Sequence, residues 1–120
     1  MDSKTTVKEL KNQVQKFCED RDWDQYHDPK ELAIGVSTES GELLDLFRFK
    51  SQKQMAEMLN DPERRERIAE ELADVLYFVV RFSQRFGFDL SEGLKTKLEK
   101  NEKKYPIERS KGSNKKYNEV

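Results

Sequence analysis

Long segments without proline or glycine are the feature that most constrains the fold of this chain. Its 120 residues include only three prolines and five glycines, and the segments between them are rich in Glu, Lys, Leu and Arg, which favour helices. Apolar side chains recur at helical spacing, as in Leu10, Val14 and Phe17, and no strand pattern competes with them. The sequence therefore predicts an all-α protein.

Turn-forming and capping residues mark the expected helix boundaries. Asp28 and Asp61 each precede a proline, which makes both of them predicted N-caps. Gly87 and Pro106 are predicted to end helices. We expect four main helices, over about residues 5–21, 29–49, 61–86 and 90–104, with residues 51–60 as a polar connector or a short helix.

Composition limits how the chain can be organised. Only 34% of its residues are hydrophobic, whereas 39% are charged. A small domain of this kind has little apolar material for a core, so we expect burial to be shared in an oligomer. Residues 1–105 are predicted to form one domain, and the polar, basic segment 106–120 is predicted to be a flexible tail.

Charge and cysteine content argue against several classes of function. The formal net charge of −1 gives no overall attraction to nucleic acid or to an anionic membrane. The most apolar stretch, LADVLYFVV, is too short to cross a bilayer, and the first residues contain no apolar signal core. Cys18 is the sole cysteine, so neither a disulfide nor a Cys-based zinc site can form within the chain. We expect a cytoplasmic protein.

Two of the predicted helices carry the same acidic pattern, ESGELL in one and ELADVL in the other. On a helical projection, Glu71 falls inside the apolar arc of its helix and Asp74 lies at the edge of that arc. Glu39 projects among apolar residues in the same way, with Glu42 beside it. Removing an unpaired carboxylate from water is very costly, so these four acids are candidates for binding a common cation.

A divalent metal ion is the cation that such a set favours. Side chains three residues apart on a helix are about 5–6 Å apart at Cβ, so each pair can offer oxygens to one ion. Oxygen ligands suit Mg²⁺, which keeps positions open for water and phosphate, with Mn²⁺ as a substitute. Alternatively, the acids form solvated faces or intersubunit salt bridges with Arg81, Arg85 or Lys50, in a non-catalytic helical interaction module.

The two acidic motifs resemble those of MazG-like all-α nucleoside triphosphate pyrophosphohydrolases, in particular the dCTP pyrophosphatase branch. The same branch is resembled by four further segments, FCEDRDWDQYHDPKELA, FRFK, KLEKNEKKYP and KGSNKKY. The resemblance spans about residues 17–117. It implies a four-helix bundle assembled as a homodimer or a dimer of dimers, with Glu39, Glu42, Glu71 and Asp74 as metal-binding and catalytic residues. It also implies that a dNTP, dCTP or a modified dCTP, is hydrolysed to dNMP and pyrophosphate in nucleotide-pool housekeeping.

The same resemblance implies how a nucleotide is bound. Trp23 and Phe49 match aromatic positions that stack on the base. The branch commonly has Trp where this chain has Phe49. This difference leaves open a preference for a purine nucleotide, dUTP or a phosphoribosyl nucleotide. The matched phosphate-binding positions are Lys97, Asn101, Lys104, Tyr105, Lys111, Lys116 and Tyr117. We expect the tail to order over bound nucleotide. Alternatively, Trp23 is a core anchor and the basic residues are only solvated.

His27 is the only histidine in the chain. The ExxH ligand pairs of di-iron helical bundles therefore cannot be completed. No recognisable Ser or Cys nucleophile motif accompanies it, so a nucleophilic triad is also unsupported. We expect His27 to cap or pack the RDWDQYH turn.

Overall fold

The chain folds into helices joined by short turns. The computed structural model describes residues 1–119, and the side chain of Tyr117 lies outside what it describes. The helices are α1 (Val7–Asp20), α2 (Pro29–Asp45), α3 (Gln52–Asn60), α4 (Pro62–Phe86), α5 (Leu90–Lys104) and α6 (Ile107–Ser110), with 3₁₀ turns at Asp24–Tyr26 and Tyr117–Glu119. Because no strand forms among residues 1–119, the all-α prediction is confirmed.

Capping residues begin α2 and α4, and end α4, where the sequence predicts. The Asp28 carboxylate accepts a hydrogen bond from the Glu31 backbone N–H at 2.7 Å and begins α2. Asp61 accepts from the Arg64 N–H at 3.0 Å and begins α4. Gly87 adopts φ 77°, a left-handed conformation that glycine enters without steric cost, and α4 ends there.

The end of α2 differs from the prediction. The helix stops at Asp45 instead of continuing to about Phe49. The N–H of Arg48 donates back only three residues, to the Asp45 carbonyl, and Phe49 has φ 62°, which no α-helix can accommodate. The following segment forms the short helix α3, because Ser51 and Gln54 make a reciprocal capping box at its start.

Two compact units make up the chain, one covering Met1–Gly87 and one that begins at Phe88. In the first unit, α4 is the central helix, and α1, α2 and α3 each pack against it. Its buried apolar residues are Cys18, Leu32, Met58, Ile68 and Val80. Leu72, in the apolar arc of α4, stays 53% exposed, so the chain covers that arc only in part.

The second unit contains α5 and α6. The helix α6 is a single turn inside the segment predicted to be a tail, whose flexibility remains a prediction. The predicted domain boundary at residue 105 likewise remains a prediction. None of the helices within residues 1–119 has the length and apolar character required to cross a membrane.

A glycine allows α2 to approach α4 closely. A Cβ atom placed on Gly35 would lie 2.4 Å from ring carbons of Phe78, closer than real Cβ atoms come to other heavy atoms. Gly35 lies one turn before Glu39 on α2, and Phe78 lies one turn after Asp74 on α4. This contact therefore sets the distance between the two helices next to the acidic motifs.

Candidate active site

Three of the four predicted acids come together between α2 and α4. Among the described residues, Glu39, Glu42 and Glu71 each offer a carboxylate oxygen, and these oxygens all lie within 4.8 Å of one another. Glu39 and Glu71 are partly buried, whereas Glu42 is exposed. The cluster therefore joins one helix pair through side chains that repel one another when all are charged.

The inner oxygens of this cluster lack partners. Oε2 of Glu39 and Oε2 of Glu71 are both buried without a hydrogen-bond partner. Burial raises the pKa of Glu39, and contact with Glu42 and its negative charge raise that pKa further. Burial likewise raises the pKa of Glu71, followed by the charges of Glu42 and Asp74. A positive charge placed among these oxygens would therefore relieve an unfavourable arrangement.

Asp74 lies near this cluster but outside the set of three. It is exposed on α4, one turn after Glu71. Its negative charge nevertheless raises the pKa values of both Glu39 and Glu71, which means that it acts on the same oxygens electrostatically. Its predicted role as a ligand remains a prediction.

The cluster fits a divalent cation. Its donor set consists of carboxylate oxygens only, which are the ligands that hard cations prefer. The two orphaned oxygens would each gain a partner from one ion, since uncompensated buried carboxylates are strongly disfavoured. Glu39, Glu42 and Glu71 are the residues that can hold it.

One positive side chain, Arg67, lies close to Glu71 on α4. The charge of Arg67 lowers the pKa of Glu71, against the stronger effects that raise it. Arg67 also lines a cavity of about 470 Å³, together with Lys50 and Arg64. The acid cluster thus has a basic neighbour within the first unit.

Trp23 is packed on one side and open on the other. Its indole ring is 37% exposed and makes an edge contact with Phe17, with ring centroids 5.7 Å apart. The His27 ring lies on another side, with its centroid 6.1 Å away. Trp23 therefore has both a packed edge, as a core anchor would, and an accessible surface, as a base-stacking residue needs.

Phe49 is held in an unfavourable conformation at the surface. Its side chain is 89% exposed, with the guanidinium group of Arg48 4.8 Å from the ring centroid. Its φ of 62° places a bulky non-glycine residue in the left-handed region. Such strain often marks a functional position.

The predicted phosphate-binding residues lie in the second unit. Lys97, Asn101 and Lys104 lie on α5, and Tyr105 caps its C-terminus. In the following segment, Lys111 and Lys116 are exposed, and the Tyr117 side chain lies outside the described residues. Their contact with phosphate remains a prediction.

A buried polar cluster around Arg81 is the feature that the sequence did not reveal. Arg81 is completely buried on α4, and it forms a salt bridge with Asp24 of its own chain. It also donates to Nδ1 of His27 at 2.9 Å and to Gln84 at 2.6 Å. On a helical projection of α4, Arg81 lies about 20° from Asp74. This position at the edge of the apolar arc is the only sequence feature that could have indicated a role for Arg81. His27 packs the turn, as expected.

The fold and the site together define an all-helical protein with a carboxylate cluster suited to a divalent cation. A family model for the MazG-like family matches residues 34–120 of the chain. The dCTP pyrophosphatase 1 of Mus musculus is 33% identical over 115 residues, which cover 96% of this chain and 68% of the mouse protein. The human dCTP pyrophosphatase 1 is 31% identical, with the same coverage.

A solved structure agrees with these relatives. The crystal structure of a pyrophosphatase from Archaeoglobus fulgidus DSM 4304 matches with a TM-score of 0.76 and 37% identity, over 82% of this chain and 91% of that one. This chain belongs to the MazG-like family. The resemblance predicted from its motifs is thereby confirmed.

Proposed function

We propose that this chain is a Mg²⁺-dependent pyrophosphohydrolase that converts dCTP, or a modified dCTP, and water to the nucleoside monophosphate and pyrophosphate. The observation that carries the proposal is the cluster of Glu39, Glu42 and Glu71, in which two buried oxygens lack partners. The chain is an enzyme of the nucleotide pyrophosphohydrolase class, since its relatives are named dCTP pyrophosphatase and a solved match is a pyrophosphatase. The preference for dCTP and the dependence on Mg²⁺ are the proposal.

The four acids are proposed to serve both metal binding and proton transfer. Glu39, Glu42, Glu71 and Asp74 would hold Mg²⁺, for which Mn²⁺ can substitute, and one of these carboxylates accepts the proton of the attacking water. Bound Mg²⁺ supplies positive charge that offsets the negative charge of the phosphates. The water oxygen forms a bond to one of the two phosphorus atoms of the α–β phosphoanhydride as the bridging P–O bond breaks, and attack at either atom yields the monophosphate and pyrophosphate.

The nucleotide needs contacts beyond the acids. We propose that Trp23 and Phe49 stack on the base, which the open surfaces of both rings support. The remaining phosphate charge would be met by Lys97, Asn101, Lys104, Tyr105, Lys111, Lys116 and Tyr117, with the tail ordering over the nucleotide.

Self-association is part of the proposal. We propose a homodimer or a dimer of dimers, because the first unit leaves large apolar side chains open. Ile34 and Leu44 on α2 are 50% and 70% exposed, and Leu72 and Leu76 on α4 are 53% and 48% exposed. Sedimentation of the wild type, compared with a Leu72→Glu/Leu76→Glu variant, tests this. A wild type that sediments as a monomer would contradict it.

We place the activity in the cytoplasm, as housekeeping of the nucleotide pool. The chain's sole cysteine, Cys18, is buried and unpaired, which suits a reducing compartment. Neither nucleic acid nor membrane is expected as a partner, because the net charge of −1 offers no general attraction to polyanions.

Incubation with dCTP and Mg²⁺, followed by product analysis, tests the function. We expect dCMP and pyrophosphate, whereas dCDP and phosphate would contradict the reaction. Glu39→Gln and Glu71→Gln should each abolish turnover without unfolding the chain, and Glu70→Gln, at an exposed neighbouring position, should not. A panel with dUTP, purine and phosphoribosyl nucleotides tests the base preference, and faster hydrolysis of any of these than of dCTP would overturn it.

A further inference from the structure

The buried guanidinium group of Arg81 joins α4 to the turn that follows α1. Arg81 is 0% exposed, yet its hydrogen bonds reach residues more than 50 positions earlier in the chain. Its Nε donates to Nδ1 of His27 at 2.9 Å, and its Nη2 donates to the Asp24 carboxylate. Nη1 donates to Gln84 on the same helix at 2.6 Å. The guanidinium group thus has an acceptor for each of its three nitrogens.

Asp24 and His27 bracket the turn that begins directly after Trp23. Asp24 starts the 3₁₀ turn and His27 caps its end. The backbone of Trp23 is tied into the same turn, because the Tyr26 N–H donates to the Trp23 carbonyl at 2.9 Å. The turn that carries Trp23 is therefore tethered to α4 at two points, both through Arg81.

The bond to His27 also determines which ring nitrogen carries the proton. Nδ1 can accept from Arg81 only when it is unprotonated, so the neutral ring holds its proton on Nε2. Burial and the positive charge of Arg81 lower the pKa of His27, which agrees with a neutral ring. The charged groups that act on His27 are Arg81 and Arg85 from α4, and Asp24 from the turn.

A role in stability alone accounts poorly for this arrangement. Burying a guanidinium group carries a large desolvation cost, and the Asp24 carboxylate that pairs with it is 41% exposed, so the pair offsets that cost only in part. A buried guanidinium group does restrict which conformations satisfy its hydrogen bonds. Here the restricted segment is the one that presents an aromatic ring, Trp23, at the surface.

We propose that Arg81 is a positioning residue, whose bonds to Asp24 and His27 hold the turn so that Trp23 presents its ring to the base of the nucleotide. The inference rests on the proposed function, because it takes Trp23 as the base-stacking residue. Arg81 touches neither substrate nor metal in this role. It acts only through the turn, and its loss should weaken nucleotide binding more than it slows the chemical step.

Trp23 provides a direct readout, because it is the only tryptophan in the chain. Arg81→Met removes all three donating nitrogens, and we expect it to shift Trp23 fluorescence. We also expect it to raise KM for dCTP by about tenfold, which is within the range expected for the loss of one base-stacking contact. The kcat should change by less than about twofold, since the acids are untouched. The matched control is Arg85→Met, one turn further along α4 and exposed, which should change neither fluorescence nor KM.

A second pair of variants applies if Arg81→Met does not fold. His27→Asn keeps an oxygen acceptor near the position of Nδ1 and should retain the wild-type KM, whereas His27→Leu removes the acceptor and should raise KM. If Arg81→Met retains the wild-type KM and fluorescence, the positioning role of Arg81 is overturned while the proposed function stands. If Arg81→Met does not fold, the same result in His27→Leu overturns that role. A wild type that hydrolyses no nucleotide would instead overturn the proposed function, and with it the role of Trp23.

Discussion

Nε of Arg81 and Nδ1 of His27 lie 2.9 Å apart, and this bond links the C-terminal half of α4 to the turn after α1. It can form only while Nδ1 of His27 carries no proton. Protonation would leave two donors facing each other, with the Arg81 charge beside the imidazolium. The bond therefore makes the stability of this region depend on pH.

Acidification should destabilise the wild type through His27. Its folded-state pKa is lowered below the ordinary 6.5, so the unfolded chain takes up the proton first. The free energy of unfolding begins to decrease as the pH falls through about 6.5, and the decrease is complete below the lowered folded-state pKa of His27. Urea unfolding at a series of pH values measures it. His27→Asn is the reference, because it retains an acceptor and cannot titrate, and parallel curves for the two proteins would contradict the prediction.

Removing the carboxylate of Asp24 should be far more costly than removing a surface carboxylate. Asp24→Ala leaves the buried guanidinium group of Arg81 without its counter-charge, and we expect a loss of about 3 kcal/mol in the free energy of unfolding. The control is Asp20→Ala, which breaks an exposed pair with Lys16 and should cost less than about 1 kcal/mol. Equal losses would show that the Arg81 cluster contributes no more than a surface pair.

Gly35→Ala should separate α2 from α4. The added methyl group would meet the Phe78 ring at 2.4 Å, and overpacking of this kind costs about 1–3 kcal/mol. Turnover should fall as well, because Glu39 and Glu71 move apart. Gly41→Ala on the same helix meets nothing within 4 Å, so it should stabilise by about 0.5–1 kcal/mol. Thermal unfolding and dCTP hydrolysis of both variants give the comparison.

Magnesium and protons should compete for the acid cluster. Burial raises the pKa values of Glu39 and Glu71 above the ordinary 4.5, so without metal the folded state becomes relatively more stable as the pH falls through those raised values towards 4.5. With Mg²⁺ at a hundredfold excess over its Kd, the folded state should gain about 2.7 kcal/mol at neutral pH. That gain should shrink over the same acidic range.

Thermal unfolding with and without Mg²⁺, across pH, measures both effects. Glu71→Gln should lose the magnesium response, whereas Glu70→Gln, which is exposed, should keep it. A magnesium response of the same size in Glu71→Gln would remove Glu71 from the site. No response in the wild type would favour the non-catalytic interaction module instead.

Phe49→Gly should stabilise the chain while impairing its function. Glycine relieves the strain of a left-handed backbone at φ 62°, with an expected gain of up to about 1 kcal/mol. Loss of the ring should raise KM for dCTP by about tenfold if Phe49 stacks on the base. Phe49→Trp keeps an aromatic surface and should preserve KM. Urea unfolding and steady-state kinetics test the two effects, and an unchanged KM in Phe49→Gly would exclude the stacking role.

The helix boundaries that were predicted correctly are those determined by interactions between neighbouring residues. Asp28 and Asp61 satisfy backbone N–H groups within the next three residues, so the starts of α2 and α4 follow from neighbouring positions alone. Gly87 ends α4 for a similarly local reason. The end of α2 was misplaced because the left-handed conformation of Phe49 has no local signal comparable to a glycine.

The sequence by itself determined the four main helices apart from the end of α2, the caps at Asp28, Asp61 and Gly87, and the spacing of two acids on each of α2 and α4. These features depend on residues within one turn of each other. Only the tertiary structure decided that Glu39, Glu42 and Glu71 meet while Asp74 lies to one side. That outcome depends on how closely Gly35 lets Phe78 approach. Arg81 and His27, 54 residues apart, likewise meet only through packing, which no helical period encodes.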